Sequence, residues 1–320
     1  MENLLYYGIA FWQTHRTEDD CELAIRTSNG RVFYCRFDPS QFHRSPSTTK
    51  LYFKCLNTLR SEEEEIDGFY VEDARPTISQ YLFALYFVCA LKATDDTPEP
   101  YQLDTQDSGW STPKTRMNGA FVASLDQWTQ SYHPADVEIS YDRPQHVSIK
   151  DPTRVVVAGP GGSEVTCFFK PFRLTFGPVL ARKELRTHEE IVKAKIPPFP
   201  ETSICRLRGI VRDGNDFYSM LFTWIEKKAV LSKGLAAKSS TLRKQRWANQ
   251  IGRSVEYLHQ RAIVWGDVKA ENVLIDRNDD AWVIDFGGSY TPPGWVDAEK
   301  AGTVEGDMQG LAKILDLLRS

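Results

Sequence analysis

The stretch VWGDVKAENVLI, residues 264–275, places a carboxylate, an ammonium and an amide a few positions apart, as Asp267, Lys269 and Asn272. A second carboxylate, Asp285, follows in the sequence DFGG. Carboxylate and amide oxygens are the donors that a hard cation takes. That chemistry requires the chain to fold back so that the four polar groups face one small volume.

The elements around these residues predict such a fold. VLI at 273–275 and WVI at 282–284, joined by the polar turn DRNDD, read as a hairpin that sets the loop before it beside the DFG after it. Upstream, TLRKQRWANQIGRSVEYLHQR at 241–261 aligns Trp247, Ile251, Val255 and Leu258 on one face of an amphipathic helix. Earlier still, VEISY at 137–141, RVVVAG at 154–159, VTCFFK at 165–170, 204–211 and 217–225 are strand-like. A helix is expected at about 180–195, so five strands and one helix would make a small lobe.

The N-terminal part reads differently. Apolar arms around Ser28-Asn29-Gly30, in residues 21–37, signal a hairpin. Residues 47–60 look helical, SEEEE at 61–65 is a solvated acidic run, and 77–93 reads as an apolar helix. Its most apolar part, YLFALYFVCAL at 81–91, is too short to span a bilayer. The stretch 94–120 has the Thr, Pro, Asp and Gly content of a linker, which puts the domain boundary within 95–135. No internal repeat and no recognisable chemistry occur before it.

Composition agrees with two globular domains. The chain has 320 residues, 26% charged and 41% apolar, enough for about two units of about 150 residues each. A formal net charge of −4 gives no reason to expect nucleic acid or an anionic membrane as partner. Six cysteines, at 21, 35, 55, 89, 167 and 205, include no CxxC pair and read as reduced thiols. MENLLYYGIAFWQTH has no basic n-region, so a secretory signal is not expected and a cytoplasmic or nuclear location follows by default.

Taken in order, FFK, a helix with glutamates, a hinge-like strand, a long amphipathic helix, DxKxxN and DFG resemble the protein kinase family over about 165–315. The texture WGDxKxENVLID and DAWVIDFGG is similar to its short, divergent fungal members. The resemblance implies ATP and Mg²⁺ as cofactors, with Asp267 accepting or orienting the attacking hydroxyl proton and Lys269 neutralising charge on the phosphoryl group. It implies that Asn272 and Asp285 hold magnesium and that Lys170 contacts the α- and β-phosphates. Glu184 is the implied partner of Lys170, with Glu189 as the alternative. Residues 222–225 would be the hinge against which adenine stacks.

Departures from the family pattern qualify what it implies. Trp265 and Gly266 replace His-Arg, so the arginine that grips an activation-loop phosphate is absent, and phosphate on Ser289, Thr291 or Thr303 is not expected to control activity. The pair Gly266-Asp267 is also similar to the HGD of small-molecule kinases. GPGG at 159–162 is too close to Lys170 to be the glycine-rich loop, which would fall at 142–153, where no glycine stands. From Gly302 the chain runs straight to Asp307, the aspartate that opens the next helix, with no APE segment, and it stops at Ser320 before the last helices of the family.

The expected fold is therefore α+β: a small α+β domain of unknown function over 1–130, then a bilobal kinase-like domain over 137–320 whose helical lobe is truncated. The expected function is ATP- and magnesium-dependent phosphate transfer to a Ser/Thr hydroxyl. The alternatives are a pseudokinase interaction module and a small-molecule kinase. The substrate is a protein or small-molecule hydroxyl, without nucleic acid or membrane, and the sequence does not give the oligomeric state.

Overall fold

The arms around Asn29-Gly30 pair antiparallel, from Cys21↔Phe37 to Arg26↔Val32, as their alternation requires. They belong to a five-stranded sheet of order β1 (Tyr7–Thr14), β2 (Cys21–Thr27), β3 (Val32–His43), β4 (Tyr86–Thr94) and β5 (Thr97–Gln102). Helix α1 (Pro46–Ser61) follows β3. The computed structural model describes residues 7–14, 19–27, 31–61, 77–79, 86–103, 114–140, 152–172, 177–287 and 294–319. Most of the acidic run and the turn at 28–30 lie outside these.

Two expectations for this region are corrected. The run Tyr86–Thr94 is not helical but a strand, parallel to β3 from Val32↔Tyr86. A short continuous apolar run has no periodicity to separate a buried strand from a buried helix, and its β-branched and aromatic residues decide for the strand. Val88 and Ala93 are fully buried there. The linker-like TPEPYQ is the edge strand β5. Because Leu103 N donates to Val88 O, the odd-numbered residues point their N–H groups inward, and Pro98 and Pro100 leave only the open edge without donors.

The chain divides into two units, Met1–Thr112 with His133–Val165, and Pro113–Tyr132 with Thr166–Ser320. The short strand β6 (Thr115–Arg116), helix α2 (Gly119–Leu125) and β7 (Ser131–Tyr132) thus cluster with the second unit. Composition reads this stretch as lying before the boundary, because its apolar residues are sparse. Asn118 caps α2 by accepting from Phe121 N at 2.8 Å. Conversely β8 (Glu138–Ser140) and β9 (Arg154–Ala158), counted by sequence in the small lobe, cluster with the first unit.

The second unit has a β-rich part and a helical part. The first contains β10 (Glu164–Pro171), α3 (Gly177–Lys193), β11 (Leu207–Asp213) and β12 (Asp216–Thr223). Then come β13 (Lys227–Val230), α4 (Lys233–Ala237), α5 (Thr241–His259), β14 (Val273–Asp276), β15 (Ala281–Val283) and α6 (Val304–Arg319). β12 is central, antiparallel to both β10 and β11. One apolar core joins α3, β11 and β12, and a larger one joins α5, α6 and the β14–β15 hairpin. Trp247, Ile251, Val255 and Leu258 are the buried face of α5, as their spacing predicts. Among the described residues no helix is long and apolar enough to cross a membrane.

Candidate active site

Asp307, in the first turn of α6, fixes the loop that carries the first group of polar residues. Its carboxylate accepts from Trp265 N at 2.7 Å and from Gly266 N at 2.9 Å, and meets His259 Nε2 at 2.8 Å. A carboxylate is well placed at a helix N-terminus. Gly266 has a φ of +88°, a conformation that glycine adopts freely and an arginine would not.

From this anchor the next side chains converge. Asp267 Oδ2 accepts from Lys269 Nζ at 2.7 Å and from Asn272 Nδ2 at 2.8 Å, and the same Nδ2 reaches the Asp267 carbonyl. The other oxygen, Oδ1, is buried without a hydrogen-bond partner among the described residues. Buried polar atoms are normally satisfied, so this carboxylate oxygen is left available to accept a further hydrogen bond or a proton.

The second group is built by β10, α3 and the turn after β15. Lys170 Nζ lies 2.7 Å from Glu184 Oε1 and 2.5 Å from Asp285 Oδ1. Burial works against the Lys170 charge, but the carboxylates of Glu184 and Asp285 outweigh it and hold its pKa above the ordinary lysine value. Burial also raises Glu184, against the pull of Lys170. Glu189, the alternative partner, instead pairs with Lys193 one turn along, at 2.6 Å. Hydrogen bonds stitch the two groups together: Ile284 N donates to Asn272 O, Gly287 N to Trp265 O, and the indole Trp265 Nε1 to Ile284 O.

Sequence reasoning missed the apolar side of this site. His188, one turn after Glu184, packs its ring on Phe222 at 5.1 Å and on Phe286 at 5.5 Å, and Phe286 meets Trp265 at 6.4 Å. Phe222 is thus turned into the core, while 224–226 link β12 to β13. Gly287 closes the contact with α3: its φ is +77°, and a Cβ there would lie 2.8 Å from Glu184 Cα. The spacing of His188 from Glu184 on a helix was the available signal. The loop at 142–153 lies mostly outside the described residues.

The donors fit a magnesium ion held largely by phosphate and water. Asn272 Oδ1 accepts no hydrogen bond among the described residues, and the Asp285 side chain is 42% exposed. No group of three or more His, Cys, Asp or Glu that could hold a metal exists among the described residues, and Mg²⁺ needs only one or two protein ligands beside a phosphate.

A family profile described as the protein kinase domain matches residues 182–299, which include Glu184, Asp267, Lys269, Asn272 and Asp285. Residues 182–299 are thus protein kinase-like. Protein kinase kin1 of Schizosaccharomyces pombe is 31% identical over 106 residues, 33% of this chain and 12% of the relative. A probable serine/threonine-protein kinase KIN1 homolog of Encephalitozoon cuniculi is 26% identical over 114 residues, 35% of this chain and 19% of the relative. The matched part of the chain is therefore under a fifth of each relative's length. Lys170 precedes the profile match, so the kinase-like domain receives it on geometry alone.

Proposed function

We propose that the second unit transfers the γ-phosphoryl group of ATP to a serine or threonine hydroxyl of a protein, with Mg²⁺. The observation that carries this reading is the half-used carboxylate of Asp267. Lys269 and Asn272 hold Oδ2 and fix the rotamer, which leaves Oδ1 to receive the proton of an acceptor hydroxyl as its oxygen bonds to phosphorus. The bond from phosphorus to the β-phosphate oxygen breaks in the same displacement. Lys269 then stands beside the transferring group as a neutralising cation.

Lys170 would hold the α- and β-phosphates, with Glu184 fixing its ammonium. Asn272 and Asp285 would hold the magnesium, which when bound would neutralise phosphate charge. The name of the Encephalitozoon cuniculi relative supports a serine or threonine as acceptor.

A thermal-shift titration of the full chain with ATP, with and without Mg²⁺, tests the reading. Ligand at a hundredfold excess over Kd should stabilise the fold by about 2.7 kcal/mol, and the shift should be larger with Mg²⁺. No shift at millimolar ATP with Mg²⁺ would replace the enzyme by a nucleotide-free interaction module.

A further inference from the structure

Residues 114–132 do not belong to the matched kinase profile, yet they pack into the second unit at both ends and in the middle. β6 pairs antiparallel with β12 through Asp216↔Arg116 and Phe217↔Thr115, and β7 pairs parallel with β11 through Ile210↔Ser131 and Val211↔Tyr132. Ion pairs fasten the same two ends. Lys114 Nζ reaches Asp216 at 2.7 Å, and Arg212 Nη2 contacts both oxygens of Asp126 at 2.7 and 2.8 Å while its Nε donates to Ser131.

Between the ends, Met117, Val122 and Leu125 are buried in one apolar cluster with Ala181 and Leu185 of α3. These two positions flank Glu184 on the helix, three residues before it and one after. Arg182 adds a polar grip. Its Nε donates to Met117 Sδ at 3.4 Å, and its guanidinium lies 5.7 Å from the centre of the Phe121 ring. On Glu184 itself the backbone meets Gly287, so α3 touches the segment and the Asp285-Phe286-Gly287 turn through neighbouring residues.

We propose that residues 114–132 are a strap that positions α3, with Met117, Phe121, Val122 and Leu125 as positioning residues that keep Glu184 on Lys170. The proposal rests on the phosphotransferase reading and supplies its missing ordering device. Gly266 stands where the family pattern has an arginine that would hold a phosphorylated segment, and the packing of residues 114–132 on α3 needs no phosphate. The strap is covalently part of the chain and makes the Lys170–Glu184 pair independent of a phosphate.

The test compares full-length wild type, Phe121→Ala, Glu184→Gln and the double variant. Phe121 is only partly buried, so its truncation loosens the strap without emptying the core. Expected are faster amide hydrogen exchange over 181–188 with α5 unchanged, and a KM for ATP raised on the order of tenfold. In the Glu184→Gln background the same truncation should leave that KM unchanged, because the strap acts through this carboxylate. Wild-type exchange in α3, or a KM effect of equal size in both backgrounds, would overturn the strap and leave only general stability. If Phe121→Ala does not fold, Asp126→Ala releases the exposed clasp to Arg212 and carries the same two readouts. A wild type without turnover would overturn the phosphotransferase reading instead, and the exchange rates of α3 would still decide whether the strap positions it.

Discussion

The loop that carries Asp267 is anchored by hydrogen bonds to the buried carboxylate of Asp307, whereas α3, which carries Glu184, is anchored mainly by apolar packing, beside the Lys170–Glu184 ion pair and the Arg182–Met117 hydrogen bond. Hydrogen bonds to an ionised acceptor are short and directional, and they fix two successive backbone N–H groups in place. Apolar contact is non-directional and roughly proportional to area, so it sets where a helix lies less sharply. The difference assigns the two sides separate tasks. The Asp307 side holds the Asp267 carboxylate at fixed geometry, and the α3 side delivers a carboxylate whose position depends on what packs against its helix.

Removing the anchor of the first side should have the largest effect. Asp307→Ala leaves the N–H groups of Trp265 and Gly266 buried without an acceptor, which costs about 3 kcal/mol or more. Urea unfolding should show that loss, and turnover should vanish with it. A variant of wild-type stability would mean that the loop is held by its other contacts and that the contrast drawn above is wrong.

A smaller effect, confined to low pH, should sharpen the other side. His188 is buried against Phe222 and Phe286, and its Nε2 has no hydrogen-bond partner among the described residues. Burial first, then the charges of Lys170 and Arg206, push its pKa down from 6.5 to about 3, against the pull of Asp285. The unfolded chain takes up a proton near pH 6.5 and the folded one does not, so stability is lost as pH falls from 6.5 toward 3. This residue alone contributes a slope of at most ~1.4 kcal/mol per pH unit. His188→Leu should flatten the acid limb of stability measured by urea midpoints between about pH 6.5 and 5, and parallel limbs for the two proteins would show that His188 does not titrate on unfolding.

Much of this arrangement was legible in the sequence. The polar turn between VLI and WVI places Asn272 near Asp285 because a hairpin returns the chain on itself, and Ile284 N bonds Asn272 O as that geometry requires. The spacing of Trp247, Ile251, Val255 and Leu258 gave α5 its buried face. The spacing of the acidic residues on α3 could not choose between Glu184 and Glu189, because the choice depends on how the helix is rotated by its packing. The strap was hidden for a related reason. Met117, Phe121, Val122 and Leu125 are few apolar residues in a Thr- and Pro-rich surrounding, and their purpose shows only once Ala181 and Leu185 lie against them. Thr303, read as one of three modifiable hydroxyls, accepts from Gly306 N and caps α6.

The most direct measurement of the central claim compares wild type with Asp267→Asn in steady-state turnover and in ATP binding, on the same preparations. Proton acceptance by a positioned carboxylate contributes about 10²–10⁴-fold in rate. The variant should lose at least about a hundredfold in kcat while its melting temperature and ATP affinity stay near wild type, because the proposed role of this carboxylate is toward the acceptor hydroxyl and not the nucleotide. Equal turnover in the two proteins would contradict the account, since the unpartnered oxygen of Asp267 would then have no part in the transfer.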